Sequence, residues 1–412
     1  MERKRKVAVI GAGASGMVAA IEAARQGAEV ILLEHKDRVG KKILSTGNGK
    51  CNFTNELMTA DCFRGEDLSA IRKVLKEFGT KDTLDFFSGL GIVPKSRQGY
   101  YYPKSEQATA VLDVLRMELE RLGVQVLCDT HVSGIKKKKD FMIQTSAKKI
   151  NADAVILATG GKASSVLGSD GSGYELAKTM GHTIAPVVPA LVQLHAKGDF
   201  FKQVSGVRTE AKVSLKVDQK TVAEDTGELQ LTNYGISGIP VFQISRFAAL
   251  ALYKKKKPVA VLDFVPDMDE KELYQFLSDR IRQNGKKTAE EFLIGMFNKK
   301  LIPVFLKKAS IPLKVYAHKL KDNEIRSLVS VLKQFEMEII KTNPFDQAQV
   351  CAGGVRTAEL FIPEMESKYV KGLYLTGELL DVDGICGGYN LQWAWATGYL
   401  AGLHAAKGNK ND

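Results

Sequence analysis

The chain has 412 residues, and its 59 lysines and arginines outnumber its 47 aspartates and glutamates, which gives a formal net charge of +12. A composition with 44% hydrophobic and 26% charged residues excludes collagen-like, mucin-like and wholly disordered proteins. At roughly 150 residues per domain, the length indicates two or three domains. The five scattered cysteines favour a reduced, cytoplasmic protein without a zinc site, and no apolar run is long enough to span a membrane.

The first predicted elements form a strand–helix–strand unit of about thirty residues. An apolar strand over 6–10 ends at a glycine loop, a helix suited to packing on a sheet covers 14–26, and a second strand covers 29–34. This order is the context that a dinucleotide-binding fingerprint requires.

The fingerprint itself is Gly11-x-Gly13-x-x-Gly16. Glycine permits the tight turn at 11, the close approach of a pyrophosphate at 13, and helix–strand packing at 16. The free N–H groups at the helix N-terminus favour the anion. Glu34 ends the second strand and can accept hydrogen bonds from ribose hydroxyls. Together these residues predict a dinucleotide site.

The next segments alternate between loop, helix and strand. Residues 40–55 are rich in Gly, Asn, Ser and Thr and predict an ordered loop, and helical spacing follows over 66–90 and 105–122. Three short strands, predicted as a hairpin or meander, precede a strand at 153–161 that returns to the parent sheet. The three short strands are 124–128, 130–135 and 141–146.

Beyond about residue 187 the pattern changes to alternating strands such as 211–217 and 259–265, and residues 269–340 look mainly helical. From residue 350 the sequence is again rich in glycine, with a predicted strand at 372–376 and a final helix from about Leu391 to Ala406. The predicted fold is therefore α/β. A nucleotide-binding domain over 1–186 and 348–412 is interrupted by a β-rich substrate domain over 187–347, which contains the helical subdomain at about 269–340.

Three features favour FAD over NAD as the bound dinucleotide. A hairpin or meander before the VILATGG strand and a long loop after Glu34 are both typical of FAD-binding flavoproteins. The C-terminal GELLDVDGICGGYNLQWAWATG places a glycine-rich turn before a helix, which can present N–H groups to the flavin pyrimidine ring. The dipole of that helix would stabilise an anionic reduced flavin.

The motifs GAGASG, GKKILSTGNGKCNFTN, YYPKSEQA, VILATGG and TGELLDVDGICGGYNLQWAWATG together resemble the BaiN/RdsA-type family of NAD(P)/FAD-dependent oxidoreductases. Their order and spacing agree along the whole chain. The resemblance implies a Rossmann-like FAD-binding domain with an inserted β-barrel-like domain and a small helical subdomain. Family members include a bile-acid dehydro-intermediate reductase and an aminoacetone oxidase, so the resemblance leaves the substrate open.

The resemblance also implies a set of cofactor contacts. The pyrophosphate would lie against the loop of Gly11, Ala12, Gly13, Ala14, Ser15 and Gly16, the adenosine ribose against Glu34, and the adenine against Val132. The nucleotide and ribityl chain would be lined by His35, Lys41, Lys42, Gly47, Gly49, Cys51 and Asn52, and closed over by Ala158, Thr159 and Gly160. Gly377 and Glu378 would meet the ribityl or pyrophosphate region, and Asn390, Leu391 and Gln392 the isoalloxazine. Lys50 stands where arginine is common in the family, which removes a bidentate anion contact.

Other residues have a functional and a structural interpretation. Cys51 and Cys386 fall in flavin-lining motifs, but packing is favoured over redox chemistry. His195 lies near the start of the insertion, where a lone histidine is more often structural than catalytic. Core packing is favoured for Trp393 and Trp395, as it is for the tyrosines at 100–102.

The sequence favours an enzyme that transfers a hydride between flavin N5 and an organic substrate held between the FAD domain and the insertion. The preferred reaction is reduction of a C=C bond conjugated to a ketone in a bile-acid or steroid-like 3-oxo compound, with NAD(P)H as a transient electron donor. A flavin amine oxidase acting on an aminoacetone-like substrate is the alternative. No catalytic acid or base, no metal ligand and no oligomeric state is assigned.

A nucleic-acid-binding flavoprotein, for example an RNA-associated one, is the alternative from another class. Three runs, Arg3–Lys6, Lys136–Lys139 and Lys254–Lys257, hold twelve basic residues and fall at a terminus or at predicted connectors. Solvated connectors account for such runs, so nucleic acid is not the favoured partner.

Overall fold

The computed structural model describes residues 3–407. Two units are present: the described parts of Met1–Val187 and Gln349–Asp412 form unit 1, and Val188–Ala348 form unit 2. The chain thus leaves unit 1 once and returns to it once.

The first part of unit 1 contains eleven strands and five helices among its described residues. The strands are β1 (Lys6–Ile10), β2 (Glu29–Leu33), β3 (Thr54–Asn55), β4 (Phe63–Gly65), β5 (Pro94–Arg97), β6 (Tyr100–Pro103), β7 (Gln125–Leu127), β8 (Val132–Lys137), β9 (Phe141–Thr145), β10 (Lys149–Ala152) and β11 (Ala154–Leu157). The helices are α1 (Ala14–Arg25), α2 (Leu68–Glu77), α3 (Thr80–Gly89), α4 (Ala108–Arg121) and α5 (Ser172–Thr179).

Unit 2 and the return to unit 1 supply the remaining elements. Unit 2 contains β12 (Val188–Ala190), β13 (Leu194–Ala196), β14 (Arg208–Val217), β15 (Lys220–Leu231), β16 (Gly235–Gly238), β17 (Val259–Asp263) and β18 (Phe335–Thr342), with α6 (Phe201–Val204), α7 (Ile239–Tyr253), α8 (Glu270–Asn284), α9 (Ala289–Leu293), α10 (Ile302–Lys308) and α11 (Asp322–Lys333). Unit 1 resumes with β19 (Val350–Ala352), β20 (Leu360–Phe361), β21 (Glu366–Ser367), β22 (Leu373–Leu375), β23 (Val382–Gly384) and α12 (Tyr389–Lys407).

The central sheet of unit 1 has seven strands in the order β20-β21-β22-β11-β1-β2-β7. The five strands from β22 to β7 are parallel, and β20 and β21 add an antiparallel edge. Residues 7–10 and 154–157 are all buried, as expected for parallel strands covered on both faces. The predicted Rossmann-like domain is confirmed, and its glycine loop lies where β1 leaves the sheet.

Helix α12 packs closely on α1 through two small residues one turn apart. A Cβ atom on Gly398 would lie 2.3 Å from the Ser15 carbonyl oxygen, and one on Gly402 would lie 2.4 Å from the Ala19 carbonyl oxygen. Any larger side chain at either position would push the helices apart. The last helix is therefore a fixed part of the fold around the glycine loop.

The predicted three-strand meander differs from the observed one. Residues 125–127 form β7, which extends the large sheet by pairing in parallel with β2, whereas β8 and β9 pair with a strand that was not predicted, β10. The apolar pattern of a short strand does not indicate which strand it pairs with, so the pairing of β7 with β2 could not be predicted from the sequence. Lys148, Lys149 and Asn151 interrupt the apolar pattern of 148–152, so the strand with its buried Ile150 and Ala152 could not be recognised from the sequence.

Unit 2 is built on a closed barrel with strand order β13-β16-β15-β14-β17-β18. The expected β-barrel-like insertion is therefore present. The segment 269–340 contains helices α8 to α11, but its last residues form β18, which closes the barrel between β17 and β13. Burial of Phe335, Met337 and Ile339 has the two-residue period of a strand, which the preceding helical pattern obscured.

The basic runs are only in part the solvated connectors that were predicted, because Lys6 begins β1 and Lys136 and Lys137 end β8, although Lys136–Lys139 are exposed. Lys254–Lys257 follow α7 and are exposed, and Lys256 pairs with Asp218. Arg3 pairs with Asp153. None of the helices in residues 3–407 combines the length and apolar character that a bilayer crossing requires.

Candidate functional site

The loop between β1 and α1 is fixed by the carboxylate at the end of β2. Glu34 is buried; its Oε2 atom accepts a hydrogen bond from the Ala12 N–H at 2.9 Å, and its Oε1 atom accepts one from the Lys36 N–H at 2.9 Å. The Gly11 N–H donates to the Leu33 carbonyl at 2.8 Å. A carboxylate oxygen has more than one lone pair, so Glu34 retains capacity for a ribose hydroxyl.

The three fingerprint glycines differ in what surrounds them. A Cβ atom on Gly11 would lie 2.5 Å from the Ala158 carbonyl oxygen, and one on Gly16 would lie 1.9 Å from the Gly11 carbonyl oxygen. Apart from its neighbours along the chain, a Cβ atom on Gly13 would meet no atom of the described residues within 4 Å. Gly11 and Gly16 are thus required for packing, whereas Gly13 leaves open space over the loop.

A pocket opens over this loop, and most of the predicted cofactor residues line it. It is bounded by the glycine loop, the end of β2, the segment after it, the start of β8, the end of β11 and the start of α12. The predicted residues in its lining are Gly11, Ala12, Gly13, Ala14, Ser15, Glu34, His35, Lys41, Lys42, Val132, Ala158, Thr159, Gly160, Glu378, Asn390 and Leu391.

Several polar lining residues were not predicted. They include Arg38, Thr46, Thr130, His131, Ser169 and Ser172. Thr130 and His131 directly precede Val132, Ser169 lies in a glycine-rich turn before α5, and Ser172 is the first residue of α5. A second glycine-rich turn after an apolar strand was the signal that could have identified the serines.

The remaining predicted residues lie outside this lining, among the residues that the structure describes. They are Gly16, Gly47, Gly49, Cys51, Asn52, Gly377 and Gln392. Gly16 packs on Gly11, as its fingerprint role requires. Lys50, which lies between Gly49 and Cys51, forms an ion pair with Glu106 at 2.9 Å.

Gln392, predicted to meet the isoalloxazine, lies outside the pocket lining, and its side chain is hydrogen-bonded within the protein. The residue is fully buried, and its Oε1 atom accepts hydrogen bonds from the hydroxyls of Thr54 at 2.7 Å and Thr83 at 2.8 Å. Its Nε2 atom donates to the Phe78 carbonyl at 3.1 Å. Gln392 ties α12 to three distant segments of unit 1.

Charged groups of the pocket are held by ion pairs. Lys42 Nζ lies 2.7 Å from Glu378 Oε2 and donates to the Ala163 carbonyl at 3.1 Å. Glu378 Oε1 accepts a hydrogen bond from the Cys351 N–H at 2.9 Å. Lys41 pairs with Asp37 on the preceding turn. The Lys42–Glu378 pair joins the loop after β2 to the loop before β23.

One buried nitrogen of the pocket lacks a hydrogen-bond partner. His35 Nε2 is buried and has no hydrogen-bond partner among the described residues, the Asp170 Oδ2 atom being 4.0 Å away. His35 also lines the pocket, and its ring meets the His131 ring edge-on at 6.4 Å. Buried polar atoms are nearly always hydrogen-bonded, so this nitrogen calls for a ligand partner. The unpartnered His35 Nε2 atom and the open space over Gly13 together fit a bound dinucleotide.

The buried cysteines provide a test of the packing interpretation. Burial raises the pKa of the Cys51 thiol to about 12, and burial followed by the Glu378 charge raises the pKa of the Cys351 thiol to about 12. Because the thiolate is the nucleophile, both should be alkylated by iodoacetamide at pH 8 at least about 100-fold more slowly in the native protein than in urea. Peptide mapping by mass spectrometry measures this. Fast native labelling of Cys51 would indicate a reactive thiol.

No group of histidines, cysteines and carboxylates in the described part of the chain is arranged to hold a metal ion. The pocket offers backbone N–H groups, carboxylates and lysines. That set suits a phosphate-bearing nucleotide.

Comparison with known proteins extends this interpretation. Residues 5–404 match the family described as the HI0933-like protein Rossmann domain. The chain is 53% identical over 405 residues to the 3-dehydro-bile acid delta(4,6)-reductase of Clostridium scindens, covering 98% of this chain and 99% of the relative. It is 27% identical over 406 residues to a ribosomal RNA dihydrouridine synthase of Haemophilus influenzae, covering 97% and 98%.

A solved structure is similar at lower identity. The 3-ketosteroid-delta4-(5alpha)-dehydrogenase of Rhodococcus jostii RHA1 aligns with 98% of this chain and 97% of its own, at 15% identity and a TM-score of 0.49. Both sequence relatives, like the family match, extend across unit 1 and unit 2.

Proposed function

We propose that the chain, which belongs to the HI0933-like Rossmann-domain family, is an oxidoreductase that uses FAD to reduce a C=C bond conjugated to a ketone in a bile-acid or steroid-like 3-oxo substrate. The family match confirms the BaiN/RdsA-type resemblance. The observation that carries the substrate proposal is the 53% identity to a 3-dehydro-bile acid delta(4,6)-reductase along nearly the full length of both chains.

The pocket residues support FAD as the cofactor through the groups that they offer. The N–H groups of the loop from Ala12 to Ser15 would bind the pyrophosphate, and Glu34 would accept hydrogen bonds from the adenosine ribose. His35 Nε2 would gain the polar partner that it lacks. Asn390 and Leu391, at the start of α12, would meet the isoalloxazine. When bound, FAD supplies a site that accepts and donates a hydride.

Two relatives with different substrates support the type of reaction. Reduction of a 3-oxo-Δ4,6 steroid and formation of dihydrouridine from uridine both add a hydride and a proton across a C=C bond conjugated to a carbonyl. The names of the two relatives refer to these two reactions. We therefore propose that the protein reduces an activated C=C bond, and we prefer a steroid-like substrate because identity to the bile-acid reductase is 53%, against 27% to the dihydrouridine synthase.

NAD(P)H is proposed as the electron donor in a transient complex. The sequence contains one dinucleotide fingerprint, and the residues around it are assigned to FAD. A nicotinamide that binds only during electron transfer needs no second fingerprint. Anaerobic titration of the FAD-loaded protein with NADH and with NADPH, followed at the visible flavin bands, identifies the donor. Bleaching by neither cofactor would contradict this assignment.

An anaerobic reoxidation experiment tests the substrate proposal. The FAD-loaded protein is reduced with dithionite and then mixed with a 3-oxo-Δ4 or 3-oxo-Δ4,6 steroid acid, and the flavin bands are expected to return as the saturated product forms. The proposal fails if no such steroid restores the bands. Peroxide release with aminoacetone would indicate an amine oxidase instead. Dihydrouridine in ribosomal RNA incubated with the reduced protein would indicate an RNA substrate.

A further inference from the structure

Unit 1 contains a buried chain of carboxylate, imidazole and hydroxyl groups. His182 follows α5, Glu359 ends the turn before β20, and Ser367 lies on β21. His182 is 3% exposed; its Nδ1 atom lies 2.9 Å from Glu359 Oε2, and its Nε2 atom lies 2.9 Å from Ser367 Oγ. Ser367 is only 2% exposed, so its hydroxyl is closed to substrates. The chain joins the segment after α5 to the antiparallel edge of the central sheet.

The hydrogen bonds of Ser367 determine the tautomer of His182. Ser367 Oγ accepts from the Tyr369 N–H at 3.1 Å and from the Val370 N–H at 3.1 Å. A hydroxyl oxygen has two lone pairs, and both are occupied here, so the Ser367 O–H has to donate to His182 Nε2. The proton of the neutral imidazole therefore lies on Nδ1 and is donated to Glu359.

A second proton on His182 would have no acceptor in this arrangement. The proton would be placed on Nε2 and would point at Ser367 Oγ, whose lone pairs are already occupied. A buried donor without an acceptor is unfavourable. Burial lowers the pKa of His182 below its ordinary value, although the hydrogen bond to Glu359 and the charge of Glu359 oppose this shift. The geometry therefore favours the neutral imidazole.

Glu359 is the charged group in contact with this imidazole. It also accepts hydrogen bonds from the Thr183 N–H at 3.0 Å and from the Thr183 hydroxyl. Burial raises the pKa of Glu359, but the hydrogen bonds from Thr183 and His182 outweigh burial and keep this pKa below its ordinary value. The Tyr369 ring faces the imidazole with centroids 5.2 Å apart. Charged groups on the neighbouring elements have other partners: Lys178 pairs with Glu175, Arg356 pairs with Glu66, Glu366 accepts from the Gly372 N–H, and Lys368 donates to the Ala358 carbonyl.

The helix that precedes His182 forms part of the pocket wall. The His182 N–H donates to the Ala177 carbonyl at 3.1 Å, which connects His182 to the last turn of α5. At the other end of the helix, Ser172 and Leu176 line the pocket over the glycine loop. The buried chain thus holds the end of a helix whose beginning contacts the cofactor pocket.

We propose that Glu359, His182 and Ser367 form a pH-sensitive latch, which holds the end of α5 on the sheet edge at neutral pH and opens when His182 is protonated, so that acid speeds the release of FAD. The part that concerns FAD rests on the proposed function, which assigns the pocket to this cofactor. The open state binds a proton more readily than the closed state. Stability of the latch is therefore complete above the ordinary histidine pKa of about 6.5 and is lost as the pH falls through it.

Hydrogen exchange of the segment 359–370 tests the latch. At about pH 5.5, one unit below the ordinary histidine pKa, proton uptake favours the open state by up to about tenfold. After correction for intrinsic exchange rates, the opening constant of the wild type should therefore rise about three- to tenfold between about pH 7.5 and about pH 5.5.

Two variants of His182 remove the titrating group. His182→Gln keeps an acceptor for Ser367, His182→Asn keeps a donor for Glu359, and neither side chain takes up a proton. In both variants the opening constant should change less than about 1.5-fold over the same pH range, whatever its value at neutral pH. His318→Asn changes an exposed histidine and should keep the wild-type response. An opening constant that is independent of pH in the wild type, or that rises equally in the His182 variants, overturns the latch.

The rate of FAD release is measured on the same proteins after loading with FAD. Between about pH 7.5 and about pH 5.5, the dissociation rate of the wild type should increase at least about threefold more than that of either His182 variant. Equal acid dependence in the wild type and the variants overturns the link to the pocket. A wild type that binds no FAD at any pH overturns the proposed function, and hydrogen exchange still decides on the latch.

Nuclear magnetic resonance of the histidine rings provides a measurement that needs no variant. Long-range proton–nitrogen spectra of the wild type should show neutral His182 with its proton on Nδ1, and protonation of His182 should coincide in pH with the rise of the opening constant. A neutral His182 with its proton on Nε2 overturns the proposal.

Discussion

Replacing Gly13 with alanine is expected to weaken FAD binding strongly while the chain stays folded, and replacing Gly16 with alanine is expected to destabilise the chain itself. The two substitutions add the same methyl group three residues apart. At Gly13 the methyl group enters open space that a pyrophosphate would fill, because no atom of the described residues beyond its neighbours along the chain lies within 4 Å of it. The FAD dissociation constant should therefore rise at least about 100-fold, a loss of roughly 2.7 kcal/mol.

At Gly16 the same methyl group would meet backbone. Its Cβ atom would lie 1.9 Å from the Gly11 carbonyl oxygen and 3.1 Å from the Ala158 Cβ atom, and α1 cannot shift outward because α12 packs against it. Overpacking of this kind costs about 1–3 kcal/mol or more. Thermal denaturation of the apo proteins separates the cases: Gly13→Ala should denature at the wild-type temperature and Gly16→Ala well below it. An apo Gly13→Ala protein that unfolds early would contradict the assignment of that space to the cofactor.

Replacing Gln392 with leucine is expected to destabilise unit 1 by about 3 kcal/mol without weakening FAD binding to the folded protein. Leucine would leave two threonine hydroxyls and the Phe78 carbonyl without their partner, and each buried unsatisfied group costs about 1–3 kcal/mol. Gln392 does not line the pocket, so FAD affinity per folded molecule should not change.

Gln275→Leu is the matched control for this prediction. Gln275 is exposed on α8, and its loss should change stability by less than about 0.5 kcal/mol. Denaturant unfolding of the apo proteins gives the stabilities, and fluorescence titration gives FAD affinity. Full stability with lost FAD binding in Gln392→Leu would restore the original prediction of a direct contact with the isoalloxazine.

The glycine loop and Glu34 could be predicted because their signals are local. A strand, three spaced glycines, a helix and an acid occur within one short segment, and each residue type has a steric or electrostatic reason for its place. The loop conformation then follows from hydrogen bonds between Glu34 and its neighbourhood. Local consistency of this kind is what makes such motifs reliable.

The partners of Gln392 and the contact between His195 and Asn343 could not be predicted, because they depend on tertiary pairing. Thr54 and Thr83 are 338 and 309 residues from Gln392, and His195 is 148 residues from Asn343. The sequence around a polar residue in a glycine-rich motif does not indicate whether its side chain binds a ligand or forms hydrogen bonds within the protein core. The same limit applies to β18, whose alternating pattern continues directly from a helical segment.

The close packing of α12 on α1 has a consequence for the order in which the protein acquires its cofactor during synthesis. Unit 2 is one uninterrupted stretch and leaves the ribosome whole before α12 is made, so its barrel can fold first. The pocket over the N-terminal glycine loop cannot be completed at that stage, because β22 and α12 are translated after the barrel. Strand β22 completes the sheet of the loop, and α12 completes the pocket. We therefore expect FAD to bind only after α12 has been translated, so that a nascent chain ending before α12 carries no flavin.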